Sequence, residues 1–180
     1  VSTLKNYFLG RKELFKGLAI DVLEKDWLTY PVFHIDFNGS DFQEKGTLEK
    51  VIEEYISTWE VAYGILPNPD RDRGMRFIQV LKEAHAVVLI DEYDKPMLDV
   101  LDTQLETVVD GNKMLLEERN RNVLKGFYSV FKAADEHLQF VLLTGVTKFS
   151  QVSVFSGFNQ PEDISMSGQF ESLCGITQEE

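Results

Sequence analysis

At 180 residues, with 43% hydrophobic side chains and thirteen phenylalanines, the chain is long enough for one domain with a real core and too apolar to be disordered. Thirty acidic residues against eighteen basic ones give a net charge of −12, which repels phosphate backbones and argues against bulk nucleic-acid binding by this stretch. A single cysteine, Cys174, excludes an internal disulfide, and no apolar run approaches the ~20 residues of a membrane span or follows the layout of a secretory signal. The expected compartment is therefore the reducing cytoplasm.

In chain order, residues 1–9 read as the end of a helix. Val1, Leu4, Tyr7 and Phe8 follow helical spacing without an N-cap, and Gly10 closes the segment. With no initiator methionine ahead of it, this helix is expected to begin in sequence before Val1. Residues 11–23 carry Leu14, Phe15, Leu18 and Val22 at mostly helical spacing, interrupted by Gly17. Residues 31–39, Pro-Val-Phe-His-Ile-Asp-Phe-Asn-Gly, read as a strand closed by Asn-Gly turn chemistry. Its alternation sets Phe33, Ile35 and Phe37 on one face and Val32, His34 and Asp36 on the other, which suits a position near a sheet edge. Trp27, Tyr30, Phe33 and Phe37 read as core. The segment 39–47 is a loop leading into an amphipathic helix over 47–63, whose stripe is Leu48, Val51, Ile52, Tyr55, Ile56 and Trp59. Residues 65–74 form a polar loop, expected to be the most mobile segment.

A second helical stripe, Phe77, Ile78, Leu81 and Ala84, runs to His85, and Ala86 already begins an apolar strand. An αβ connection normally takes about 2–6 residues, so residues are expected to be missing between His85 and Ala86. The following stretch, Ala-Val-Val-Leu-Ile-Asp-Glu-Tyr-Asp-Lys-Pro-Met over 86–97, is the most informative in the chain. A strand apolar at every position must be covered on both faces, as in a parallel α/β sheet. Ligands of such sheets bind just beyond the carboxyl ends of the strands. Asp91 and Glu92 stand there as a Walker B pair: Asp91 suits holding Mg²⁺ and Glu92 suits orienting an attacking water. Asp94 could serve as a third acidic ligand, but capping a helix with an early Pro96 is a sufficient task for it. Tyr93 and Lys95 read as surface or packing residues.

Residues 119–134 form another amphipathic helix, and the cluster Arg119, Asn120 and Arg121 reads as its solvated start. Residues 138–143 form a second buried strand ending in Thr144-Gly-Val-Thr-Lys148. Thr144 is placed either to sense a γ-phosphate or to satisfy a loop amide, and both readings stand. Lys148 reads as solvated rather than phosphate-bound. Residues 149–175 are loop-rich, with a short strand expected at 163–166, and residues 177–180, Thr-Gln-Glu-Glu, read as a capping box starting a further helix. His34 suits a hydrogen-bonded structural role, and with His85 and His137 it forms no metal-ligand spacing.

A phosphate-cradling loop, Gly-x-x-x-x-Gly-Lys-Ser/Thr, occurs nowhere between Val1 and Glu180. The nearest match, Lys45-Gly46-Thr47, has the wrong order. The residues by themselves thus supply half of a nucleotide site.

Taken together, residues 14–20 (Leu-Phe-Lys-Gly-Leu-Ala-Ile), 31–38, 88–96 (Val-Leu-Ile-Asp-Glu-Tyr-Asp-Lys-Pro), 122–128 (Asn-Val-Leu-Lys-Gly-Phe-Tyr) and 140–150 resemble the prokaryotic AAA-ATPase-like proteins of the P-loop NTPase superfamily. The resemblance covers nearly all of the chain. It implies a three-layer α/β fold, a parallel sheet flanked by helices, here incomplete at its N-terminus, with ATP and Mg²⁺ at the C-terminal edge. It matches Asp91 to the metal-holding aspartate, Glu92 to the catalytic glutamate and Thr144 to the polar strand-end residue that meets the nucleotide. It also implies a phosphate loop of the form Arg-Phe-Gly-Lys-Ser before Val1, and in many members a nuclease-like domain further on.

The expected organisation is an ATPase-like core over residues 1–176 and the start of a truncated helix over 177–180. The expected function is ATP binding and Mg²⁺-dependent hydrolysis in the full-length protein, residues 1–180 being inactive without the phosphate loop. Its partners would be ATP and a protein or a second copy, with no membrane. The alternatives are a non-catalytic regulatory or protein-interaction module with a degenerate nucleotide fold and, ranked last, a Mg²⁺-dependent hydrolase using Asp91, Glu92 and Asp94 alone.

Overall fold

The computed structural model describes residues 1–68, 70–147, 161–165, 167–170 and 173. Lys148, Cys174 and residues 177–180 lie outside them, so the expectations placed there stay as read. In the part of the expected 163–166 strand that is described, residues 163–165, the backbone is not extended into a ladder.

The apolar run forms strand β2, Val87–Asp91, and Val87 through Ile90 are fully buried. Burial on both faces demands a neighbour along each edge and a cover above and below. Strand β1, Val32–Asp36, and strand β5, Phe140–Leu143, flank it, both parallel, in the order β1-β2-β5. The register runs Val32 to Val87 through Asp36 to Asp91 on one side, and Val87 to Phe140 through Ile90 to Leu143 on the other. β5 is less buried than its composition suggests: Phe140 is 37% exposed and Val141 to Leu143 are half-buried.

One face of the sheet carries the main core. Phe33, Ile35, Val88 and Ile90 pack there against helices α3, Thr47–Ala62, α4, Arg73–Ala84, and α6, Leu116–Ala133. Trp59 of α3 stacks on Phe33, at 4.4 Å between ring centroids, and on Phe77, at 5.4 Å, and those two rings lie 6.4 Å from each other. The alternation of β1 is as expected, with Phe33, Ile35 and Phe37 all buried. Helix α1, Ser2–Phe8, touches β1 from the other face, where Lys5 Nζ lies 3.5 Å from His34 Nδ1.

The N-terminal stripe over 11–23 is not one helix. A 3-10 turn, Lys12–Phe15, and a short helix α2, Ala19–Leu23, replace it, because Gly17 takes a left-handed φ of 85° between them. Leu14, Leu18 and Val22 are exposed, so only Phe15 of that stripe is core. Trp27 and Tyr30 are half-buried rather than central. Trp27 sits in a separate aromatic group, 5.8 Å from Tyr7 and 5.4 Å from Phe15.

The connection between α4 and β2 takes only His85 and Ala86, so no further residues are needed there. His85 adopts the left-handed conformation, φ 49° and ψ 53°, that glycine usually supplies at a helix end, and its N–H donates to Leu81 O at 2.9 Å. This reverses the chain at once, and Val87 N–H then donates to Pro31 O. The polar segment before α4 is shorter than read, since the helix starts at Arg73 with Asp72 accepting from Met75 N–H.

Helix α5, Lys95–Leu98, follows β2, and an antiparallel hairpin, β3 Glu106–Val109 with β4 Asn112–Leu115, precedes α6. The hairpin escaped the sequence reading. No helix among the described residues is long and apolar enough to cross a membrane.

Charge is buried where α3 meets α4. Arg76, 3% exposed, donates through Nε and Nη2 to the two carboxylate oxygens of Glu60, 1% exposed, at 2.8 and 2.5 Å. Its Nη1 donates to Glu53 at 2.6 Å. Removing one partner strands the other's charge in the interior. Arg76→Met is therefore expected to destabilise the fold by about 3–5 kcal/mol in denaturant unfolding. Arg76→Met with Glu60→Leu should recover most of that loss.

His34 yields a second expectation. Burial, and then the charge of Lys5, hold its imidazole below the ordinary value of 6.5, so it stays neutral in the fold. As pH falls below about 6.5 the unfolded chain takes up that proton first. Stability is present above this value and is lost progressively as pH drops toward the lower folded pKa. His34→Gln should flatten the stability profile in that window.

Candidate functional site

Parallel strands in register end at one edge, and their carboxyl ends bring together residues distant in sequence. Asp36 and Asp91 are register partners, and Thr144 follows the last paired residue of β5. Thr144 N–H donates to Ile90 O at 2.9 Å, which extends the ladder by one step. Its hydroxyl donates a short hydrogen bond to Asp91 Oδ1. Asp91 and Thr144 are both half-buried. Asp91 Oδ2 has no hydrogen-bond partner among the described residues, so one carboxylate oxygen is held and the other is not.

Glu92 follows immediately with φ at 54°, a left-handed conformation uncommon for a residue with a side chain. The turn ends the strand abruptly after Asp91. Glu92 makes no side-chain hydrogen bond or ion pair among the described residues, and its backbone oxygen accepts from Lys95 N–H. Asp36 is exposed, and its Oδ1 accepts from Asn38 N–H at 2.8 Å in a local turn.

Several neighbours differ from the sequence reading. Asp94 is not a side-chain cap of α5. It is 1% exposed, and its Oδ2 accepts from both the N–H and the hydroxyl of Thr147, each at 2.6 Å. Tyr93 takes the packing side of its reading: it is buried, and its hydroxyl donates to Thr147 O at 2.6 Å. From α6, Tyr128 donates to Tyr93 O at 3.0 Å. Burial raises the pKa of both tyrosines, so both remain protonated donors. Asn120 is no solvated helix start: it is buried and donates to Pro96 O at 2.9 Å. Arg119 pairs with Glu49 at 2.8 Å and Arg121 with Glu117 at 2.6 Å. Lys95 is held by Asp99.

No group of three or more His, Cys, Asp or Glu residues among those described could by itself enclose a metal ion. A hydrolase using Asp91, Glu92 and Asp94 alone is at odds with this, because Asp94 is turned away toward Thr147. What remains at the edge is one carboxylate oxygen on Asp91, the Glu92 carboxylate and the Thr144 hydroxyl.

Residues 1–155 match the AAA-ATPase-like family, described as "Predicted AAA-ATPase". The chain belongs to the AAA-ATPase-like family. A curated relative from Azotobacter chroococcum mcd 1, "Uncharacterized protein in vnfD 5'region", is 38% identical over 185 aligned positions. That match takes in 99% of this chain but 34% of the relative, so the AAA-ATPase-like chain spans about a third of that protein's length. No solved structure matches it. The α/β architecture with a parallel sheet is compatible with a nucleotide-binding fold, and membership in the family supports an ATPase-like role.

The two loops at this edge are in close contact at Gly145. A Cβ there would meet Asp94 Oδ1 at 2.6 Å and the Tyr93 ring at 2.7 Å, and both side chains are pinned by hydrogen bonds. Gly145→Ala is therefore expected to cost about 1–3 kcal/mol in thermal or denaturant unfolding.

Proposed function

We propose that residues 1–180 form the Mg²⁺- and ATP-binding core of an ATPase, of P-loop type, whose phosphate loop lies elsewhere in the full-length protein. One observation carries the reading: at the end of the central parallel strand, Thr144 from the end of the neighbouring strand holds one Asp91 oxygen, while the other has no hydrogen-bond partner among the described residues. The chemistry of these donors fits a hard divalent cation, which takes oxygen ligands and retains several waters. Such a cation, when bound, neutralises charge on the β- and γ-phosphates.

The chain's own residues then have separate tasks. Asp91 holds the cation directly or through its water shell. Thr144 fixes the Asp91 carboxylate and offers its hydroxyl oxygen beside it. Glu92, unengaged by other side chains among the described residues, orients a water and accepts its proton. With a net charge of −12, residues 1–180 need the cation and an added lysine loop to hold a polyphosphate.

The test belongs to the full-length protein. Glu92→Gln keeps the size of the side chain and removes its basicity. It should lower ATP turnover by at least about 100-fold while Mg²⁺·ATP binding stays near that of the unaltered protein. Unchanged turnover in Glu92→Gln would remove Glu92 from the reaction. Failure of the full-length protein to bind ATP would instead favour a non-catalytic protein-interaction module.

A further inference from the structure

The mechanism proposed above leaves one buried carboxylate without a task. Asp94 is 1% exposed, and among the described residues only one of its oxygens is satisfied. Oδ2 takes both donors of Thr147, while Oδ1 is buried beside Gly145 with no partner among the described residues. Burying a carboxylate with half its acceptors unfilled costs free energy, so packing alone does not account for the residue. Its contacts instead join the two loops that carry the candidate catalytic groups. Tyr93 N–H donates to Thr144 O at 2.9 Å, the Tyr93 hydroxyl holds Thr147 O, and Asp94 holds Thr147 N–H and Oγ1. Residues 144–147 are thus fastened at both ends to residues 93–94, and Val146, 76% exposed, forms the tip. On the other side of the same clamp, Glu92 keeps a left-handed φ of 54°. A conformation of that kind persists where its surroundings over-determine it.

We infer that Asp94 is a positioning residue that locks the loop after β5 onto the turn after β2, fixing Thr144 against Asp91 and Glu92 in its left-handed turn. Its kinetic consequence rests on the hydrolytic reading of Asp91, Glu92 and Thr144; its structural consequence does not. Without the clamp the two loops move separately, and the water-orienting carboxylate loses its setting relative to Asp91. Binding of Mg²⁺·ATP is largely spared, so the loss falls on kcat rather than KM.

The experiment uses the full-length protein, with amide hydrogen exchange and steady-state ATP hydrolysis read side by side. Asp94→Ala should raise exchange across residues 144–147 by about tenfold or more, leaving β1 and β2 protected. It should lower kcat by about tenfold with KM within about twofold. Asp94→Asn, which keeps an acceptor oxygen for Thr147, should restore most of both. Thr147→Val removes one donor only and should give about a threefold loss of kcat, with no further loss when added to Asp94→Ala. Unchanged exchange over residues 144–147 in Asp94→Ala overturns the clamp, and a raised KM with unchanged kcat overturns its catalytic consequence. Should Asp94→Ala fail to fold, Thr147→Val decides: wild-type exchange and kcat in that variant overturn the proposal. If exchange rises as expected while Glu92→Gln hydrolyses ATP normally, the clamp stands and the assignment of Glu92 fails.

Discussion

The organising constraint is the complete burial of β2. Four successive aliphatic side chains with no exposure require a strand on each edge and a cover on each face. Those requirements leave one place for the polar residues that follow, the open edge where the strand ends. Asp91 is thus where it is because Val87 to Ile90 cannot be anywhere else. The neighbouring strands inherit the same direction, and so Asp36 and Thr144 arrive beside it although 108 positions separate them in the sequence.

A second constraint acts one layer away. The negative chain holds a buried cation at the α3–α4 contact, where Arg76 is gripped by the buried Glu60 and the partly exposed Glu53. Apolar side chains replacing both Arg76 and Glu60 could fill that volume at little loss of stability, whereas replacing one alone strands the other's charge. What the ion pair adds is a defined approach of two helices that otherwise present only apolar stripes. The helices that cover the sheet thereby keep one register, and β1 and β2 keep theirs.

Strong periodicity made much of this readable in advance. β1, α3, β2 and α6 follow from their apolar spacing, and a parallel sheet follows from the lack of any polar position in β2, whereas its place between β1 and β5 is known only from the structure. The β3–β4 hairpin was missed because its strands are only four residues each and half-exposed, although Asp110-Gly111 between Val109 and Asn112 is a recognisable turn signal. The α4–β2 connection was misjudged because a histidine takes a backbone conformation expected of glycine. At the site, the types and edge position of Asp91, Glu92 and Thr144 were legible, whereas the contact between Asp91 and Thr144 is a property of strand order. Asp94 was read as a cap since local spacing favours that role; its partner, Thr147, lies 53 positions away and is invisible to local spacing. Asn120 and Arg119 were read as solvated because the helix was started three residues late.

The two tryptophans stand in unlike surroundings, and this makes the chain its own optical probe. Trp59 stacks against Phe33 and Phe77 at the main core, whereas Trp27 belongs to the N-terminal aromatic group with Tyr7 and Phe15. Their indole emission therefore reports two regions independently. Loosening of the N-terminal segment shifts the Trp27 signal while Trp59, half-buried, keeps its stacked contacts, and only melting of the sheet and its helices moves both. Removing either indole leaves a single-tryptophan protein in which the order of those events can be read directly from fluorescence.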